Sequence, residues 1–138
     1  MNRFETQESF VAEFIVALTN AGMQAGAGAD LTKPRYFRGY VPPERSTDAL
    51  FLRYNIDENN TLYFSDDKDF IREIVIGGEV YTRNGYGDSD YQDLCEDIED
   101  ECVKKGFAVE WENESTDASF DANSPISIKR FSVTKNKA

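Results

Sequence analysis

The fold is constrained most by two segments with helical periodicity, separated and followed by segments of alternating residues. Residues 5–21 and 89–105 each carry apolar side chains at the spacing of one buried helical face. Gly22 and Gly106 follow them and suit the left-handed position that ends a helix. The order helix, three strands, helix, two strands predicts an α/β (α+β) domain: one curved, mostly antiparallel sheet of about five strands with two helices packed on one face.

The expected strands have irregularities that the sequence marks. Asp57 to Asn60 is predicted as a turn between the first two strands, and Gly77-Gly78 indicates a bulge or a close backbone approach within a long third strand. In the last strand the apolar parity changes at Lys129-Arg130, which indicates a bulge or a strand twisted between two environments. The strands are expected at residues 50–54, 61–64, 70–82, 107–112 and 126–133.

A single domain over residues 1–138 is expected, with an irregular arm at about 22–48 that is rich in glycine and proline. Residues 33–40 combine three cations with three aromatics and no acid. They suit an arm that docks on a neighbouring subunit, an ordinary loop whose aromatics join the core, or a site for single-stranded nucleic acid. The candidate partner residues of the arm are Lys33, Arg35, Tyr36, Phe37, Arg38 and Tyr40.

The second predicted helix is strongly acidic on the face opposite its apolar stripe. Like charges recur there at i, i+4, and each such pair disfavours the helix by a few tenths of a kcal/mol. The face is either an ordinary solvated surface or an acidic surface directed at a basic partner or a DNA channel. Its candidate interface residues are Asp93, Glu96, Asp97 and Asp100.

The net charge restricts the partners. The chain has 26 acidic and 15 basic residues and a formal charge of −11. This balance opposes nucleic-acid binding and anionic membranes, because both depend on cations that meet phosphates. No apolar run approaches the ~20 residues of a membrane span, and the first residues lack a signal-peptide pattern, so a cytoplasmic place of synthesis is expected.

No catalytic group, cofactor or metal is expected. The chain has no histidine, which removes the commonest general base. Cys95 and Cys102 lie seven residues apart in one helix, about 10 Å and beyond disulfide reach, so they are expected to be reduced core residues. The acidic loops at 57–60 and 66–69 do not follow the calcium-loop spacing, and residues 84–89 have two glycines but lack the third glycine and the lysine of a phosphate loop.

Several segments resemble the tail terminator (tail completion) proteins of long-tailed bacteriophages. In that family, an N-terminal helix precedes a strand, an acidic turn, a strand ending in a "vdlYt"-like motif, and a helix of the "LE..L...gf" type. The resemblance covers residues 50–134, with the N-terminal helix added by position. The segments that carry it are Leu50 to Tyr54, Leu62 to Asp67, Val75 to Thr82, Leu94 to Glu99, Lys105 to Phe107 and Ile128 to Val133.

The resemblance implies a non-enzymatic virion protein of the tail or neck, assembled in the host cytoplasm. Its subunits would form a homohexameric ring that caps the tail tube protein and joins it to a neck or head-closure protein. Genomic DNA would pass through the lumen without specific binding, and no membrane is involved. Two alternatives remain: another neck or head-closure subunit, and an acidic DNA mimic that inhibits a host defence nuclease.

Overall fold

A computed structural model describes residues 7–42, 48–63, 70–117 and 126–135. Within these ranges, two helices and seven strands form one α+β unit. The sheet has the order β1-β2-β3-β4-β7-β5, and β6 also pairs with β7. The elements are α1 (Gln7–Asn20), β1 (Gln24–Ala25), β2 (Arg35–Arg38), β3 (Leu50–Tyr63), β4 (Phe70–Thr82), α2 (Ser89–Lys104), β5 (Phe107–Trp111), β6 (Ser115–Asp117) and β7 (Ile126–Lys135).

The α+β class and both helices are confirmed, but the sheet is mixed and has more strands than expected. The pairs β1–β2 and β2–β3 are parallel, whereas β3–β4, β4–β7, β5–β7 and β6–β7 are antiparallel. The additional strands β1 and β2 lie in the segment 22–48 that was expected to be irregular. Arg35–Arg38 pairs with residues 51–54. Because the partner residues of β2 are distant in the sequence, the polar and aromatic pattern of its own four residues does not predict the strand.

The predicted turn at residues 57–60 is wrong. β3 continues through it as one strand of 14 residues, paired with β4 as far as Tyr63 opposite Phe70. The register shifts between Ile56 and Glu58, so Asp57 is the extra residue of a bulge. The prediction failed because it relied on the polar side chains of residues 57–60. Backbone hydrogen bonds to β4 hold this part of β3, and these bonds need no apolar side chains.

Gly77 and Gly78 lie inside the long strand β4, as expected, and a close backbone approach accounts for them. A Cβ atom at Gly78 would overlap the carbonyl oxygen of Arg53 and lie 2.7 Å from Cζ of Phe131. A Cβ atom at Gly77 would overlap the carboxylate of Asp57. The bulge is therefore on the neighbouring strand β3, where its extra residue Asp57 lies against Gly77.

The predicted bulge at Lys129-Arg130 is wrong, because β7 pairs with β4 without a register shift from Ser127 to Thr134. The parity change has another cause: alternate residues of one regular strand enter two apolar clusters on opposite faces of the sheet. Ile126 and Ile128 belong to one cluster, and Phe131 and Val133 belong to the other. The two environments that the sequence indicated are the two faces.

Both helices pack on the same face of the sheet, as predicted, and form the main core there. Phe10 of α1 stacks on Phe107 of β5, with ring centroids 5.0 Å apart, and Phe14 packs edge-on against Tyr54 at 5.4 Å. The opposite face carries a smaller buried cluster in which Phe51 stacks on Tyr81 at 4.7 Å. The fully buried residues of the main core include Phe10, Phe14, Leu18, Met23, Leu52, Ile76, Val80, Ile98, Phe107 and Val133.

The two cysteines are buried free thiols on the inner face of α2, which confirms the prediction. Burial raises the pKa of Cys95 to about 11 and that of Cys102 to about 12. Both thiols are therefore protonated at neutral pH. No helix in the described part of the chain is long and apolar enough to cross a membrane.

Candidate partner-binding groove

The start of α2 is fixed by contacts that orient its acidic face. Asp88 caps the helix and accepts a hydrogen bond from the backbone N–H of Tyr91 at 3.2 Å. The Tyr91 hydroxyl donates to Glu114 at 2.8 Å, and the Tyr86 hydroxyl donates to the backbone carbonyl of Ser115. Burial raises the pKa of Tyr91, so its hydroxyl remains a donor. These contacts and the buried residues hold the inner face of α2 against the sheet, so the carboxylates on its opposite face point to solvent.

Asp93, Glu96, Asp97 and Asp100 are all exposed, as the periodicity predicted. None of them forms an ion pair or a hydrogen bond with another described residue. Asp93–Asp97 and Glu96–Asp100 are like charges one helical turn apart, and they disfavour the helix slightly. The stability of α2 comes from its buried face and its cap, so these four carboxylates have no evident part in holding the fold.

Arg35, a predicted arm cation, is 5 % exposed and contacts its own subunit. Its Nη2 donates to the carbonyl oxygen of Gly28 at 3.0 Å, and its Nη1 lies 3.4 Å from Asp48. Its Nε has no hydrogen-bond partner among the described residues. A buried guanidinium that is satisfied only in part is uncommon, because an unpaired buried donor is costly.

Arg38, the third arm cation, also pairs within the subunit. Its two Nη atoms donate to the carboxylate oxygens of Glu8 at 3.2 and 3.3 Å. The hydrogen bonds and the charge of Arg38 lower the pKa of the Glu8 carboxyl. The pair is on the surface, where such a contact adds little stability. It nevertheless fixes β2 against the start of α1.

The arm aromatics divide between the core and the surface. Tyr36 packs against the main core, 6.5 Å from the ring of Tyr54, and Phe37 belongs to the cluster on the other face, edge-on to Phe51. These contacts match the interpretation in which aromatics of this segment join the core. Tyr40 is 69 % exposed. Lys33 is exposed as well.

A groove with a volume of 520 Å³ lies between the arm and the first turns of α2. It brings together four of the predicted residues, Lys33 and Arg35 from the arm and Asp93 and Asp97 from the helix. Tyr36, Phe37, Arg38, Tyr40, Glu96 and Asp100 do not line it. Part of the basic arm and part of the acidic face of α2 therefore line one groove within a single subunit.

Other residues of the groove were missed by the sequence interpretation. Asp48, Asp88 and Asp90 add three carboxylates, and the exposed Leu31 adds apolar surface beside the buried Leu94. Asp88 precedes a predicted helix and Asp48 lies in an irregular segment, and neither position alone indicates a groove. Leu31 was the signal that the sequence offered for this groove. It is an apolar residue in a polar, irregular segment, and no helical or strand periodicity accounts for it.

The carboxylates and the exposed Leu31 of the groove suit cationic and apolar groups. Across the described ranges, no group of three or more His, Cys, Asp or Glu side chains is placed to hold a metal ion. The acidic loop at 66–69 lies outside the described residues. The sequence matches no protein-family model and no curated protein.

Proposed function

We propose that the chain is a non-enzymatic virion structural protein, a tail terminator whose subunits form a hexameric ring. The ring caps the tail tube, joins it to the neck and lets DNA pass through its lumen. The observation that carries the proposal is the exposed acidic face of α2, whose four carboxylates have no partner in the described chain. Such a surface suits a lumen or a contact between proteins.

The position of the resembling segments supports the proposal. Most of their described residues fall on β3, β4 and β7, which are adjacent in the sheet, and on α2, which covers it; residues 105–107 lead from α2 into β5. Residues 64–67 lie outside the described residues. The resemblance therefore concerns the centre of the fold and its packing. Arg35–Arg38, which lies outside the resembling segments, forms β2 near one edge of the sheet. An edge element can differ between relatives without changing the central strands.

The charge distribution supports passage of DNA without binding. A lumen lined by carboxylates repels phosphates, whereas cations would release counterions and hold the duplex. The exposed acids of α2 supply such a surface, and the net charge of −11 opposes adhesion elsewhere.

The ring contact would use two different complementary patches, since a rotational ring above twofold is head-to-tail. Arg35 and Arg38 already bind acids of their own subunit, so Lys33 and Tyr40 are the arm residues left for a neighbour. The double variant Lys33→Glu/Tyr40→Ala should lower ring formation in sedimentation velocity while the thermal midpoint is unchanged. Arg35→Glu is a poor probe, because it would disturb its own subunit.

Electron microscopy of particles lacking this gene tests the function. We expect headless tails of uncontrolled length, and purified tail tubes should capture the protein in a pull-down. Normal tails would refute termination. Heads and tails that form normally but do not join would favour the neck or head-closure alternative. Inhibition of a host nuclease together with no capture by tubes would favour the DNA mimic.

A further inference from the structure

We propose that the groove between residues 31–35 and α2 binds a basic segment of a partner protein. Asp93 and Asp97 bind its cationic side chains, and the exposed Leu31 contacts an apolar side chain of the same segment. The site lies within one subunit, so it does not require the ring. It goes beyond the proposed function by naming the ligand chemistry and the residues that recognise it.

The acidic wall is not explained by the stability of the helix. Asp88 caps α2, and Asp90 in the first turn is favoured by the positive end of the helix dipole. Asp93 and Asp97 lie beyond that turn, where the dipole gives little, and they repel each other. Both line the groove without an ion-pair partner among the described residues. A cationic ligand would remove their repulsion.

The apolar wall is held in place by hydrogen bonds. Leu31 is 86 % exposed, yet its neighbours are fixed. The Asp30 carboxylate accepts from the backbone N–H of Thr32 at 2.9 Å, and the Gln24 amide donates to the carbonyl oxygen of Lys33 at 3.1 Å. The loop thus presents a leucine to solvent above the groove. Covering this side chain with an apolar ligand group is favourable, because it removes apolar surface from water.

The floor favours a peptide over an isolated cation. The buried Nε of Arg35 lacks an acceptor, and the Lys33 ammonium at the groove has no ion pair in the described chain. The Arg35 Nε is closed off from solvent, so the exposed Lys33 ammonium is the donor that a bound group can reach, and a backbone carbonyl oxygen is a suitable acceptor for it. A peptide segment brings carbonyls together with cationic and apolar side chains. A free metal ion or a polyamine carries no carbonyl oxygen and would leave Lys33 with water alone.

The charges favour a different protein over a second copy as the occupant. Five carboxylates and two cations of the described chain line the groove. Several exposed cations of this chain already lie beside carboxylates: Arg38 beside Glu8, Lys104 beside Glu101, and Arg130 beside Glu79. A second copy would bring these paired cations and another net charge of −11. A partner with an unpaired basic segment meets no such repulsion.

The test is a fluorescence anisotropy titration with a fluorescein-labelled peptide of alternating lysine and leucine, at about 50 mM salt where charge pairing is weakly screened. We expect the Asp93→Asn/Asp97→Asn variant to bind the peptide at least about tenfold more weakly. The matched control is Glu96→Gln/Asp100→Asn. It removes the same charge from the same helix outside the groove and should change the affinity by less than about threefold.

Leu31→Ser separates the apolar contact from the charges. It should weaken binding of the lysine-leucine peptide and leave a lysine-serine peptide unaffected, because only the former has an apolar group to lose. Equal losses in the two double variants would show attraction to the whole acidic surface and overturn the site. Absence of peptide binding, or a dimer that Asp93→Asn/Asp97→Asn abolishes, would overturn it as well. All titrations use dilute subunits, so failure to form rings does not affect the result.

Discussion

Arg53 of β3 and Glu79 of β4 lie directly opposite each other and form a two-pronged ion pair on the face away from the helices. Arg53 Nη2 lies 2.7 Å from one carboxylate oxygen and 2.9 Å from the other, and its Nε adds a hydrogen bond of 3.0 Å. The hydroxyl of Tyr81 donates to the same carboxylate at 3.3 Å. The pair is partly shielded from water and borders the smaller apolar cluster, so its geometry contributes more than that of an exposed pair.

Glu79→Gln should lower the free energy of unfolding by about 1–3 kcal/mol, because it leaves a half-buried guanidinium without its charged acceptor. Urea unfolding followed by circular dichroism measures this. Glu58→Gln, at an exposed position of β3, should change stability by less than about 0.5 kcal/mol. Arg53→Met combined with Glu79→Leu should recover part of the loss. A Glu79→Gln protein as stable as the parent would contradict the assignment.

Gly78→Ala should destabilise the fold by about 2 kcal/mol or more, because its methyl group would overlap the backbone of β3 and the ring of Phe131. Gly87→Ala is the matched control, since a Cβ atom there meets nothing within 4 Å. Thermal unfolding of both variants gives the comparison. Equal midpoints would mean that β3 and β4 are not in the register that places Tyr54 opposite Gly78 and the carbonyl oxygen of Arg53 against it.

Ile98→Ala should cost about 2–5 kcal/mol through the cavity left at a fully buried position of α2. Val103→Ala on the exposed side of the same helix should have an effect below about 0.5 kcal/mol. Chemical denaturation of the two variants is sufficient. A larger effect at Val103 would show that the outer face of α2 is covered in solution.

Cys95 and Cys102 should react slowly with iodoacetamide in native buffer at pH 8 and quickly in denaturant, because burial keeps both thiols protonated. Their raised pKa values make the folded state prefer the protonated form. The stabilisation is complete below the unfolded pKa of about 8.5 and is lost as the pH rises towards 11–12.

The pH dependence is checked against the Cys95→Ala/Cys102→Ala protein, which should lose less stability between pH 8.5 and 11 because only other groups titrate in it. Rapid labelling of the native parent, or the same alkaline slope in both proteins, would contradict the burial of the thiols.

The helices were predicted closely because their signals are local. Apolar spacing, the Asp88 cap and the terminal glycines all act within a few residues. The strands were predicted less well because pairing is not local. β2 depends on its neighbour β3, and the polar centre of β3 depends on β4. The spacing of apolar and polar residues within either strand does not show which strand will lie beside it.

The candidate site was predicted in part for the same reason. The exposed acids of α2 follow from helical spacing, and the structure places them as expected. Arg35 shows the limit: its basic surroundings suggested a surface arm, but its partners are Asp48 and the carbonyl of Gly28, which only the folded chain brings near. The groove exists because the arm, the start of β3 and the start of α2 meet at one end of the sheet.

The bulge at Asp57 has a consequence for how the protein behaves at high concentration. β3 and β4 extend past the residues that pair with β2 and β7, so within the described chain residues 55–63 pair with β4 on one side and have no strand on the other. An uncovered strand edge is a template on which other chains can add strands. Here the extra residue twists the edge, and Asn55, Asp57 and Glu58 are exposed along it. Distortion and negative charge together discourage edge-to-edge aggregation of the folded protein.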